Sequence, residues 1–266
     1  MKNILLFLCS GTSSRFNGKT KALAKISGTT VIEFNLKNVS EFDQVYIVTN
    51  ETNYSEFEKL NLDNVKLIKI KTGNGDADSL LNALKELQKA QKLEDFENTS
   101  LTFCWGDTVF LNDTIFKKLS VLIKENSEDL LVPCSLDKNP YAYFDFITDS
   151  GNIDGSKILK SHFKTEKSVE IGLHDQSIFK VNLKTLFNLL NRFKEYHFKN
   201  SNSELKFLKF IDFLNTENCL NVKCILIDSG NSVSFNTQLE LDNIIKNFLS
   251  TKLLTYQQKT RNVYII

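Results

Sequence analysis

Ile4-Leu5-Leu6-Phe7-Leu8-Cys9-Ser10-Gly11-Thr12-Ser13-Ser14-Arg15 is the stretch on which the fold turns. Its first half is an unbroken apolar run of strand length, as expected of a strand covered on both faces in a parallel sheet. Its second half empties into a glycine and small hydroxyl residues. In an open α/β sheet such a loop lies at the carboxyl end of a strand, where ligands bind. Gly11 lets the backbone turn sharply, Ser10, Thr12 and Ser13 leave backbone N–H groups uncovered, and Arg15 offers a planar fork for phosphate oxygens. Lys21 adds charge shortly afterwards. By themselves these residues fit a solvated turn as well as an anion cradle; neither the P-loop spacing nor GxGxxG is present.

Outward from this stretch, Ile4–Cys9, Val31–Val39, Val45–Val48, Tyr54–Leu60 and Val65–Ile70 alternate between strand-like and helix-like texture. The alternation predicts βαβ units feeding a mostly parallel sheet. A helix over Ser79–Leu93 follows, with Leu80, Leu81, Leu84 and Leu87 on one face, then a buried strand at Leu101–Trp105, a helix at Thr114–Lys124 and a strand at Asp129–Cys134. From Pro140 the pattern becomes Tyr- and Phe-rich, and Asp149-Ser-Gly-Asn152 carries hairpin chemistry, so an antiparallel insertion is expected over 139–182. Helices at Leu183–His197 and Glu204–Leu214, a strand at Val222–Ile227 and a helix from Thr237 complete a single expected domain, 1–266.

Thirty-three basic residues face thirty-two acidic ones. That balance argues against nucleic-acid or acidic-membrane partners and for small molecules. The five cysteines form no CxxC pair, and no apolar segment reaches membrane-spanning length; a reducing cytoplasmic location is expected.

The segment SGTSSRFNGKTKALAKISGTTVIE resembles the signature of the nucleotidyltransferases, through Gly11, Ser13, Arg15, Lys21, Leu23, Gly28, Ile32 and Glu33. Ser13 stands where that signature has a second glycine, and Thr20 where it has proline. Three later elements follow in family order: Gly73, Gly75 and Ala77 in Thr72–Ser79; Gly106-Asp107 after the strand Leu101–Trp105; and Asn236, followed by Leu241, in Asp228–Leu241. The chain is thus similar to sugar-phosphate nucleotidyltransferases, a group that includes N-acetylglucosamine-1-phosphate uridyltransferase domains and small cytidylyltransferases.

The resemblance implies a Rossmann-like three-layer α/β fold of GT-A type, with a mixed, mostly parallel sheet and a small antiparallel insertion. It also implies Mg2+-dependent transfer of CMP or UMP from CTP or UTP to a phosphorylated small-molecule acceptor, for surface-glycan precursors. In that reading Arg15 and Lys21 are catalytic, and Ser10, Gly11, Thr12, Ser13, Gly73, Gly75 and Ala77 bind the nucleotide. Asp107 and Asn236 hold the metal, although Asn236 also suits a helix N-cap. Tyr143, Lys160, Lys164 and Asp175 stand on the acceptor side. Pro140–Asp145 departs from the corresponding uridyltransferase segment, which points away from N-acetylglucosamine 1-phosphate as acceptor. Sugar-1-phosphate uridyltransferase and non-catalytic nucleotide-binding regulator are the alternatives.

Overall fold

A computed structural model describes residues 1–11, 16, 18, 20–90, 96–122, 129–148 and 151–247. The opening apolar run forms β1 (Lys2–Leu8), and it alternates cleanly between two cores. Ile4, Leu6 and Leu8 pack on one face of the sheet, while Leu5, Phe7 and Cys9 pack on the other. Each fully buried side chain of this kind contributes about 1.5–3 kcal/mol relative to exposure. A strand so covered must lie in the middle of the sheet.

Two short strands, β2 (Lys25–Ile26) and β3 (Thr29–Thr30), pair with each other. After them come β4 (Gln44–Asn50), β5 (Val65–Ile70), β6 (Thr99–Trp105), β7 (Thr108–Phe110) and β8 (Leu130–Lys138). Then follow β9 (Ala142–Ile147), β10 (Lys157–Phe163), β11 (Ile171–Asp175), β12 (Ile178–Asn182), β13 (Val222–Leu226) and β14 (Ser232–Ser234). β5, β4, β1 and β6 run parallel in that order. β12 lies antiparallel between β6 and β8, and β13 joins β8 in parallel. The expected mixed, mostly parallel α/β sheet is the one found.

Helices cover both faces. Asp76–Ala90, Leu183–Asn200 and Phe207–Thr216 lie over the first core, and Val31–Leu36 and Thr114–Val121 over the second. A third cluster joins Phe16, Ile26, Val31, Val109 and Phe235 to Leu241 and Ile244 of the helix over 238–247. Beyond β13 the sheet curls, because β8, β13, β10, β9 and β11 pair in a closed circuit. Within 139–182, β9, β10 and β11 form the antiparallel end of the same sheet, whereas β12 lies inside it, antiparallel between β6 and β8.

Several helix bounds differ from those the sequence suggests. The first long helix starts at Asp76 rather than Ser79, because Gly75 makes the turn and Ser79 already donates its N–H to Gly75 O. Its expected end, to Leu93, and the first half of the hairpin, Asp149 and Ser150, lie outside the described residues. The segment read as a helix from Glu204 is not helical until Phe207. Leu205 spends its backbone on the glycine loop instead: Leu205 N–H donates to Asn74 O and Leu205 O accepts from Ala77 N–H. Among the described residues no helix is long and apolar enough to cross a membrane.

Candidate active site

The carboxyl ends of β1, β5 and β6 open into one cleft of about 410 Å3, lined by Ser10 and Gly11 after β1, Gly73 and Gly75 after β5, and Trp105, Gly106 and Asp107 at the end of β6. Cleft volumes of 300–1,000 Å3 are usual for small-molecule sites. Thr20, Lys21 and Asn236 close one bank; Asp76, Ser79 and Glu204 close the other.

Gly106 is required where it stands. Its N–H donates to Leu8 O at 2.8 Å, and a Cβ there would strike Cys9 Sγ and lie 3.0 Å from Leu8 O. This close approach of β6 to β1 delivers Asp107 to the cleft mouth. The Cys9 thiol below is pushed far above the ordinary thiol range, chiefly by burial and secondarily by the Asp107 charge, so it stays protonated and is no nucleophile.

The ammonium of Lys21 sits between Asp107 Oδ2, at 2.6 Å, and Asn236 Oδ1, at 3.0 Å. A two-stranded ribbon explains how residues so distant in sequence meet. β7 follows Asp107 directly and β14 leads into Asn236; their antiparallel register sets Thr108 opposite Ser234. The ribbon is held by a Thr108–Ser234 hydroxyl bond of 3.0 Å and by Asn35, which donates to Thr108 O at 2.7 Å and accepts from Phe110 N–H at 2.9 Å. Asn236 is not the N-cap. Thr237 and Glu240 cap the helix reciprocally, Thr237 N–H donating to the Glu240 carboxylate and Glu240 N–H to Thr237 Oγ1. The Asn236 amide oxygen is thereby left for the cleft.

On the opposite bank, Gly75 has φ +106° and a Cβ there would lie 2.6 Å from Leu205 O; at Gly73 it would lie 2.6 Å from Ser79 N. The backbone is therefore bare at both positions. Asp76 Oδ1 accepts from Ala77 N–H and Phe207 N–H, each at 2.8 Å. Crowding of that carboxyl, only partly offset by the two donors, raises its pKa. Burial disfavours the Asp78 carboxylate, but the Lys194 ammonium at 2.6 Å and Asn74 N–H outweigh it, and its pKa is lowered.

Of the residues singled out in sequence, the cleft collects Ser10, Gly11, Lys21, Gly73, Gly75, Asp107 and Asn236. Thr12, Ser13 and Arg15 lie outside the described residues. Ala77 is not at the surface: it is fully buried and its N–H is taken by Leu205. The four acceptor-side residues do not line this cleft. Tyr143 stacks on His162 at 5.0 Å, Lys160 and Lys164 are exposed, and Asp175 is buried at the end of β11, where its carboxylate accepts from Ser177 N–H in the connection to β12. Sequence reading missed Thr20, Asp76, Trp105 and Glu204 as lining residues. The Thr237-x-x-Glu240 capping box was the available sign that Asn236 is spare. Nothing local marks Glu204, which arrives through a backbone seam with a distant loop.

Among the described residues no group of three or more His, Cys, Asp or Glu side chains gathers to cage a metal. Asp107 and Asn236 nevertheless suit magnesium: they are hard oxygen donors, a cationic group already occupies the space between them, and Mg2+ usually takes only one or two protein oxygens when phosphates provide others.

A strand-end cleft with a lysine, a carboxylate and an amide oxygen on one bank and bare glycine backbone on the other, on a sheet covered by helices, defines an α/β nucleotidyltransferase. Comparison with known proteins agrees. Residues 5–150 match the MobA-like NTP transferase domain, and the chain belongs to that family. It is 24% identical over 245 residues to the bifunctional protein GlmU of Caldicellulosiruptor saccharolyticus, a match that covers 90% of this chain and 50% of that protein. The chain thus spans about half the length of that curated relative. In structure it is similar to a UDP-glucose pyrophosphorylase complexed with UDP-glucose (TM-score 0.71, 12% identity, 94% of this chain and 100% of that one). It is similar also to the inositol-1-phosphate CTP transferase of T. maritima (0.68, 13%, 94% and 95%) and to a nucleoside-diphosphate-sugar pyrophosphorylase of Vibrio cholerae (0.68, 14%, 91% and 99%). At these identities the likeness speaks for the fold.

Proposed function

We propose that this protein, acting as a single domain over 1–266, transfers CMP or UMP from CTP or UTP to a phosphorylated small-molecule acceptor and releases pyrophosphate. The observation that carries this reading is the meeting of Lys21, Asp107 and Asn236 at the cleft mouth. An acceptor phosphate oxygen forms a bond to the α-phosphorus as the bond from that phosphorus to the bridging oxygen breaks, and the electron pair leaves on pyrophosphate. A phosphate monoester is already largely dianionic at neutral pH, since its second pKa is about 6, so no general base is required. That accords with a cleft whose described lining holds no histidine and a cysteine kept as thiol.

The chain's task is to align the phosphates and neutralise them. Lys21 carries charge to the triphosphate, with Arg15 assigned the same work on the departing pyrophosphate. Ser10 and Gly11 offer backbone to phosphate oxygens. Asp107 and Asn236 would hold magnesium, which when bound supplies electrostatic stabilisation to the reacting phosphates. The acceptor is a phosphate other than N-acetylglucosamine 1-phosphate, bound on the side of Tyr143, Lys160, Lys164 and Asp175, and the setting is cytoplasmic synthesis of surface-glycan precursors.

The test is pyrophosphate release from each common NTP, with magnesium, against sugar phosphates, phosphocholine-like compounds and phosphorylated amino acids. Activity is expected with a pyrimidine triphosphate and one acceptor class; silence with every NTP from folded protein would sink the proposal.

A further inference from the structure

The two banks of the cleft stand on opposite faces of the sheet and carry opposite chemistry. Ala22, beside Lys21, packs into one core; Ala77, Leu80 and Leu205, beside Asp76 and Glu204, pack into the other. The bank of Lys21 suits phosphates. The opposite bank does not: although it contains a helix N-terminus, Asp76 stands in the first turn and lines the cleft, and Glu204 adds a second carboxylate, whereas the buried Asp78 is already paired with Lys194. Anions are repelled there, so the uncharged end of a nucleotide faces it. Gly73 and Gly75 line this bank, kept as glycines by close packing on Ser79 and Leu205, and with Trp105, which also lines the cleft, they leave a surface without a charged side chain for a planar ring.

Glu204 is held at this surface by construction. Leu205 N–H donates to Asn74 O at 2.8 Å, Leu205 O accepts from Ala77 N–H at 3.0 Å, and Phe207 N–H donates to Asp76 Oδ1 at 2.8 Å, which stitches 204–207 to the glycine loop. No hydrogen bond or ion pair engages the Glu204 carboxylate within the described residues, and it lines the cleft while remaining solvent-exposed. An ionised carboxylate accepts hydrogen bonds and donates none. Facing the edge of a base, it pairs with an exocyclic amino group and opposes a carbonyl oxygen in the same position.

Building on the nucleotidyl-transfer reading, we propose that Glu204 determines nucleotide specificity by accepting a hydrogen bond from the amino group of cytosine, so that the enzyme prefers CTP to UTP. Uracil presents a carbonyl where cytosine presents the amine, and two acceptors then meet.

The experiment is equilibrium binding of CTP, UTP, ATP and GTP with Mg2+ by calorimetry, alongside the fluorescence of Trp105, the single tryptophan of the chain. Wild type, Glu204→Gln and Glu204→Ala are compared after circular dichroism confirms folding. Wild type is expected to bind CTP about tenfold or more tighter than UTP, because a polar site that meets the wrong partner leaves a group unpaired. Glu204→Gln, whose amide also donates, should bring the two within about threefold, mainly by strengthening UTP. Glu204→Ala should weaken CTP without improving UTP. Equal wild-type binding of CTP and UTP, a preference that survives Glu204→Gln, or tighter binding of a purine triphosphate overturns the proposal. Absence of binding by all four NTPs, together with absence of pyrophosphate release, would instead remove the nucleotidyl-transfer reading on which it rests.

Discussion

Lys21 Nζ lies 2.6 Å from Asp107 Oδ2, a contact made across the cleft mouth with Asn236 Oδ1 on the ammonium's other side at 3.0 Å. In the free protein this lysine therefore neutralises the Asp107 carboxylate and donates to the Asn236 amide oxygen, the two oxygens assigned to the metal. A metal held by Asp107 and Asn236, as proposed, would have to displace it.

Removing that ammonium while keeping the oxygens should raise the affinity of the free protein for Mn2+ by severalfold, since one competing cation is lost. Lys21→Met, followed by the loss of the free Mn2+ paramagnetic signal, checks this. The same variant should lower transfer by about a hundredfold or more, as expected when a charge that acts on the transition state is lost. Asp107→Ala should abolish Mn2+ binding in both backgrounds. Unaltered Mn2+ binding in Asp107→Ala would refute the metal assignment.

Asn35 is fully buried and bonds both Thr108 O and Phe110 N, fastening the helix Val31–Leu36 to β7. Asn35→Leu leaves a carbonyl and an N–H of the ribbon unpaired, which should cost about 2–4 kcal/mol of stability. Turnover should also fall, because β7 positions Asp107. Urea unfolding and kcat on the same preparation measure both, and a full-strength enzyme with normal stability would contradict the role.

At Gly106 a methyl group has no room between Cys9 Sγ and Leu8 O. Gly106→Ala should destabilise by about 1–3 kcal/mol through overpacking and lower kcat by moving Asp107. The double variant Gly106→Ala with Cys9→Gly should regain part of the stability. No recovery would mean that the clash lies elsewhere.

Lys180 is buried on β12, with its ammonium donating to Leu119 O at 2.7 Å, and burial lowers its pKa to about 8. Below pH 8 both folded and unfolded chains hold the proton, and the fold bears the full cost of a buried charge. From about pH 8 to the ordinary lysine value near 10.4 the folded state releases its proton first, so this residue's contribution to stability rises with pH. Lys180→Met should therefore stabilise at pH 7 by on the order of 1–3 kcal/mol, after allowing about 1 kcal/mol for the lost bond. The advantage should shrink toward pH 10 in urea titrations; a constant difference across that range would rule out titration of Lys180 as the cause.

The amino-acid sequence alone predicts the layered α/β sheet, because an apolar run such as Ile4–Cys9 has to be covered on both faces wherever it is placed. It also marked the strand-end loops and the candidate charges Lys21 and Asp107, since glycines and ionisable side chains after buried strands are local signals. What it could not determine was which residues share a cleft. The meeting of Asp107 with Asn236 depends on the register of β7 against β14, and register is set by packing between segments far apart in the chain. The same holds for Ala77, which the family pattern brings to the nucleotide but a bond to Leu205 turns into the core, and for Glu204, where the glycine loop's backbone captured a segment with helical texture. Local preference fixes an element's kind; only the competition for backbone hydrogen bonds and buried volume across the whole chain decides where it ends and what its side chains face.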